Sequence, residues 1–144
     1  MDIKRFMIGT VVGGITLHAL GYLIWVVAFA DFFAANSGSA TGVSRDAPLM
    51  WAIALGNLSL GAVLTLAVGS RSKFPSIGEG FKIGAIVGFL IWLGVDFILY
   101  GVNNVSNLTA TIADPLLEVV HNGVAGAVIV AVIGKIGQPA ATGA

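Results

Sequence analysis

Four long apolar runs, at roughly 6–30, 49–69, 83–101 and 115–134, decide what this chain can become, because each is long enough to cross about 30 Å of hydrocarbon at about 1.5 Å rise per residue. In lipid every backbone N–H and C=O must be satisfied within the protein, so runs of this kind are helices. The expected fold is all-α, a four-transmembrane-helix bundle forming one membrane domain over residues 1–136. The GQPAATGA end, residues 137–144, lacks periodicity and reads as a loose tail. Composition agrees. Of 144 residues 57% are hydrophobic and 10% charged, where a soluble domain carries about 25% charge. With no basic tract and no net charge, nothing points to nucleic acid. Cysteine is absent, which removes disulfides, thiolate metal sites and thiol catalysis.

Met1–Arg5 is a short basic leader and Ala28-Phe29-Ala30 has the form of a cleavage site. The first run is nevertheless longer than the about 7–15 residues of a signal core and contains His18, so it is expected to stay as a span. Lys4, Arg5, Arg71, Lys73, Lys82 and Lys135 flank one set of span ends, against Arg45 alone at the other. The positive-inside rule then predicts a multi-pass membrane protein with both termini cytoplasmic. Trp25, Phe29, Trp51 and Tyr100 near the outer ends read as interfacial anchors. Asp46-Ala47-Pro48 and Asp114-Pro115 read as starts of the second and fourth helices, with an acidic residue near the cap and proline in the first turn. Asn104 and Asn107 open Asn-x-Ser/Thr triplets that matter only in a glycosylating host.

The second and fourth runs share a pattern in register: Asn57, Gly61, Ala62, Val63 and Gly69 against Asn122, Gly126, Ala127, Val128 and Gly134. Gly21-Tyr-Leu-Ile-Trp25 similarly echoes Gly88-Phe-Leu-Ile-Trp92. These echoes suggest a duplicated helical hairpin, whose copies would be related by an axis along the membrane normal. Gly9 with Gly13 and Gly84 with Gly88 have the small-x-x-x-small spacing of close helix packing, accompanied by Gly56 and Gly61 on the second run and Gly123 and Gly126 on the fourth. Such faces also predict a homo-oligomer or membership of a larger membrane complex.

Polar and ionisable side chains within the spans carry the functional signal, since each costs roughly 2.5–3.5 kcal/mol at membrane depth unless it meets a partner, a cavity or a ligand. His18, Asn57, Asp96, Glu118, His121 and Asn122 are such residues, and Tyr100 extends the Asp96 face toward the surface. Helix rise counted from those run boundaries puts His18, Asn57, Asp96 and His121 at one depth, about 18–20 Å in. Asp96 and His121 are therefore expected to pair across the third and fourth helices. The favoured reading is an intramembrane site that binds or transports a small solute or a proton, without a catalytic residue. A structural or accessory subunit of a membrane complex is the alternative. A bis-His haem b protein ligated by His18 and His121, or a metal held by His18, Glu118 and His121, is a further one, although a di-iron bundle would need a second Glu-x-x-His.

The sequence Gly88-Phe-Leu-Ile-Trp92, with Asp96, Tyr100 and Asn103 after it and a fourth run ending GAVIVAVIG, resembles the small four-helix bacterial integral membrane proteins grouped as domains of unknown function. The resemblance implies a bacterial inner-membrane protein. It transfers no site residue.

Overall fold

The computed structural model describes residues 1–71 and 74–136. Lys73 and the expected tail at 137–144 lie outside the described residues. Helix α1, Ile3–Gly21, runs on into a π-helical segment, Tyr22–Ala28, and together they make the first span. A short α2, Ala30–Ala35, follows, then α3, Met50–Gly69, α4, Ile77–Val102, and α5, Leu108–Ile133. The first span, α3, α4 and α5 are each long and apolar enough to cross a membrane, and they pack against one another as a four-helix bundle.

Two helices begin well before the expected boundaries, for local reasons. Ser76 and Glu79 form a reciprocal capping box, with the Ser76 N–H donating to the Glu79 carboxylate at 2.6 Å, which starts α4 at Ile77. Lys82 does not delay it, because a lysine stem can lie along an apolar face with its head toward water. The Asn107 side chain accepts from the Ala110 N–H at 3.0 Å and starts α5 at Leu108. Asp114-Pro115 is therefore inside α5, where Pro115 leaves the Thr111 carbonyl without its helical donor. Asp46-Ala47-Pro48 lies upstream of α3, whose cap position, Leu49, makes no side-chain bond.

The chain forms two helical hairpins, α1 with α3 and α4 with α5, and joins them mainly through α1 against α5. Glycine sets both hairpin contacts. A Cβ on Gly61 would lie 2.6 Å from the Gly14 nitrogen and the Thr10 carbonyl, and one on Gly126 would lie 2.3 Å from the Gly80 carbonyl. Gly9 seats Thr65, Gly13 seats Ile129, and Gly88 seats the Asn122 side chain. Leu17, Leu64, Val68, Ala125, Ile129 and Ile133 fill the core between the hairpins. Ile15, Leu55, Ile86, Leu90, Ile98 and Leu116 point outward, as side chains in contact with lipid would.

The two ends of the bundle are tied differently. At the terminal end Met1 packs on Gly69, Phe74 on Gly134, and the Arg5 guanidinium donates to the Ile136 carbonyl at 3.1 Å through Nε. At the opposite, distal end the two connections are stitched together. The Gly38 N–H donates to the Val105 carbonyl at 2.8 Å, the Ala40 N–H to the Asn104 carbonyl at 3.0 Å, and the Asn107 Nδ2 to the Asn36 Oδ1 at 3.1 Å.

Two outcomes follow from this packing. Gly84→Ala places a Cβ 2.1 Å from the Asn122 carbonyl, which is backbone and cannot swing away, so it should destabilise the bundle by about 1–3 kcal/mol in a detergent melt. Gly94→Ala meets nothing within 4 Å and should melt as the parent does. On the cysteine-free background, Ser39→Cys and Ser70→Cys should react with an impermeant maleimide from opposite faces of a vesicle. Labelling of both from one face would contradict the bundle.

Candidate functional site

In the distal half all four spans border one cavity of about 530 Å³. The first span contributes His18, Tyr22, Trp25 and Val26; α3 contributes Met50, Ile53, Asn57 and Leu60; α4 contributes Trp92; and α5 contributes Asp114, Glu118 and His121. It exists because the hairpin of α1 and α3 is tight only in its terminal half, where Gly13 and Gly14 meet Gly61, Asn57 and Leu58. Beyond Gly21 the backbone changes from α to π register, with the Phe29 N–H donating five residues back to the Ile24 carbonyl at 2.8 Å. A π turn widens the helix and redirects its side chains, and it commonly marks a functional position. Tyr22, Val26, Met50 and Ile53 are cavity residues that are also exposed, so the rim lies between the first span and α3. Toward the terminal end Leu17, Leu64, Val68, Ile129 and Ile133 close it off.

Glu118, His121 and Asn122 lie one turn apart on the inner face of α5 and are 3%, 4% and 1% exposed. His121 Nδ1 is 2.7 Å from Glu118 Oε2, and its Nε2 is 2.8 Å from the Leu17 carbonyl. A carbonyl only accepts, so Nε2 carries a hydrogen. One further proton then lies between Nδ1 and Glu118, on the imidazole as an ion pair or on the carboxyl as a neutral pair. Asn122 Nδ2 donates to the same Glu118 oxygen and, at 3.2 Å, to the Glu118 carbonyl. His18 pairs with Asn57 instead, Nδ1 to Nδ2 at 3.2 Å.

The expected pairing of Asp96 with His121 does not occur. Asp96 lies beside Asp114, and its Oδ2 is buried with no hydrogen-bond partner among the described residues. The depth estimate failed because α4 starts at Ile77, six residues before the expected boundary, which carries Asp96 deeper from the terminal end. Counted along the observed helices from the terminal end, Asn57 and His121 lie about 18 Å in, His18 and Glu118 about 22 Å, and Asp96 and Asp114 about 28 Å. The polar residues therefore occupy two tiers rather than one level. Tyr100, one turn beyond Asp96, is exposed and does not border the cavity.

Three cavity residues carried no site expectation. Trp25, read as an interfacial anchor, donates from Nε1 to Asp114 Oδ1 at 2.6 Å and meets the His121 ring edge-on, centroids 4.9 Å apart. Asp114, read as a cap, links Trp25 to Asp96. Trp92 has a buried Nε1–H with no acceptor among the described residues. The available signal was the repeated Gly-x-Leu-Ile-Trp motif, since both of its tryptophans end in the cavity wall. Among the described residues no three His, Asp or Glu side chains converge as a metal-binding group.

No family model, curated protein or solved structure matches this chain.

The Glu118–His121 unit has a checkable energetic signature. Glu118→Leu leaves His121 Nδ1 unpaired and the Asn122 amide with only the residue-118 backbone carbonyl, and should cost about 1–3 kcal/mol more than Glu118→Gln, which retains an amide partner. The double variant with His121→Leu should be less damaging than the two single changes added together, with a coupling of about 0.5–3 kcal/mol. Additivity of the melts would mean that the two side chains do not interact.

Proposed function

We propose that this chain is a membrane-embedded binding protein for a small, largely apolar solute, taken up in the distal cavity. The observation that supports this most directly is the cavity itself: about 530 Å³, within the range of about 300–1,000 Å³ usual for small-molecule sites, with mostly apolar walls and a few converging polar groups. Bundles without a ligand have no reason to hold such a volume open, given that helix association in lipid relies on close van der Waals contact. The lone Trp92 Nε1–H offers a ligand an unused donor.

Lys4, Arg5, Arg71, Lys82 and Lys135 against Arg45 favour cytoplasmic termini in a bacterial inner membrane, so that the cavity opens in the outer half of the bilayer. Movement of a solute onward to the cytoplasm would require Leu17, Leu64 and Ile129 to part. The bis-His haem reading is disfavoured by donor geometry, because the imidazole nitrogen most available to iron on His121 is directed at the Leu17 carbonyl.

N-phenyl-1-naphthylamine, a neutral fluorophore that brightens in apolar sites, should bind the purified chain saturably at one per cavity. Ile53→Trp, which fills the rim, should weaken that component at least about tenfold, or ~1.4 kcal/mol, with an unchanged melting temperature. Ile98→Trp on the outer surface of α4 should leave it intact. Binding that never saturates, or that ignores Ile53→Trp, would refute the cavity as a site.

A further inference from the structure

The cavity's charge pattern deepens that reading, on which the following rests. Two carboxylates, Asp114 and Glu118, border it and no lysine or arginine does. Glu118 is already satisfied by His121 and Asn122. Asp114 is not: its neutral partner is the Trp25 N–H, and its other neighbour is a second carboxyl, Asp96. The aromatic side chains of Tyr22, Trp25 and Trp92 line the same space. A carboxylate beside aromatic side chains, in a desolvated pocket without competing cations, is the arrangement that recognises an organic cation.

We propose that the cavity takes a hydrophobic monovalent cation, an ammonium on an apolar body, and exchanges it for a proton at the Asp96–Asp114 pair. Two carboxyls face to face lack a donor unless one carries a proton, and an uncompensated charge at this depth is costly. The negative charge of the pair is therefore balanced by a proton or by the ligand's charge. One cation entering releases one proton, and charge is conserved. The other titratable groups bordering the cavity are Glu118 and His121 from α5 and His18 and Tyr22 from the first span; α3 contains none, and Tyr100 lies one turn beyond Asp96 on α4. With His121 tied to Glu118 and to Leu17, the exchangeable proton is assigned to the outer tier.

Phenyltrimethylammonium and its neutral isostere tert-butylbenzene separate charge from shape. Binding to the full chain in detergent would be measured by equilibrium dialysis at matched free concentration, with proton release followed by a pH indicator in weakly buffered solution. The expected result is a cation Kd at least about tenfold below that of the isostere at pH 8, weakening as pH falls, with close to one proton released per cation bound. Asp114→Asn should abolish the preference and the proton release, whereas Asp31→Asn on exposed α2 should change neither. If Asp114→Asn does not fold, the pH dependence and proton count of the parent chain decide the matter. Equal binding of both probes without proton release overturns the cation inference and leaves the solute-binding reading standing. Failure of both probes, together with failure of the naphthylamine test, overturns the two together.

Discussion

Backbone contact between helices is the constraint from which the rest of this molecule follows. In lipid there is no hydrophobic gain from pressing one apolar helix on another, so association depends on approach close enough for dispersion and weak polar contacts. Gly14 against Gly61 and Gly80 against Gly126 supply that approach in the terminal half. The two hairpins use the same device: Gly14 faces the Asn57 carbonyl in one and Gly84 faces the Asn122 carbonyl in the other, with the partner glycine one turn on. Because the grip is confined to one half, the other half is free to separate. The π segment after Gly21 turns that freedom into a cavity, by widening the first span where the glycines stop.

The architecture was legible because bilayer thickness leaves few options for a chain with four runs of spanning length. The polar cluster of the candidate site was legible in part, and its partners were misread. Glu118, His121 and Asn122 stand out in sequence as polar residues on one helical face, and they share one hydrogen-bonded unit. Asp96 was assigned the wrong partner because its depth depended on where α4 begins, and that is fixed by the Ser76–Glu79 capping box outside the apolar run. Asp114 was hidden by Pro115: the pair looks like a helix start, but Asn107 had already supplied one. Trp25 was hidden by a statistical habit of tryptophan near membrane surfaces, which the π turn overrides by directing the ring inward. No periodicity rule anticipates such a turn, since it depends on tertiary contacts.

The stitched distal connections bear on how the cavity could change. Asn36, Gly38 and Ala40 from one hairpin bond Asn107, Val105 and Asn104 of the other. The hairpins are thus tied to each other at both ends, and the cavity opens laterally where the first hairpin splays, at the rim between the first span and α3. Lateral access suits a solute that has already partitioned into lipid, where it is concentrated relative to water.

The bond from His121 to the Leu17 carbonyl has a consequence for how such a protein tolerates change. An acceptor that belongs to a side chain can be deleted by a single substitution, but this one belongs to the main chain. Exchange of Leu17 for any residue that keeps α1 helical preserves the carbonyl, and with it the tautomer of His121. The proton arrangement at the heart of the inner tier is inherited with the path of the backbone, not with the identity of the residue at position 17. Variation on the α1 side is buffered, while on the α5 side a change at Glu118 or His121 acts directly on the chemistry.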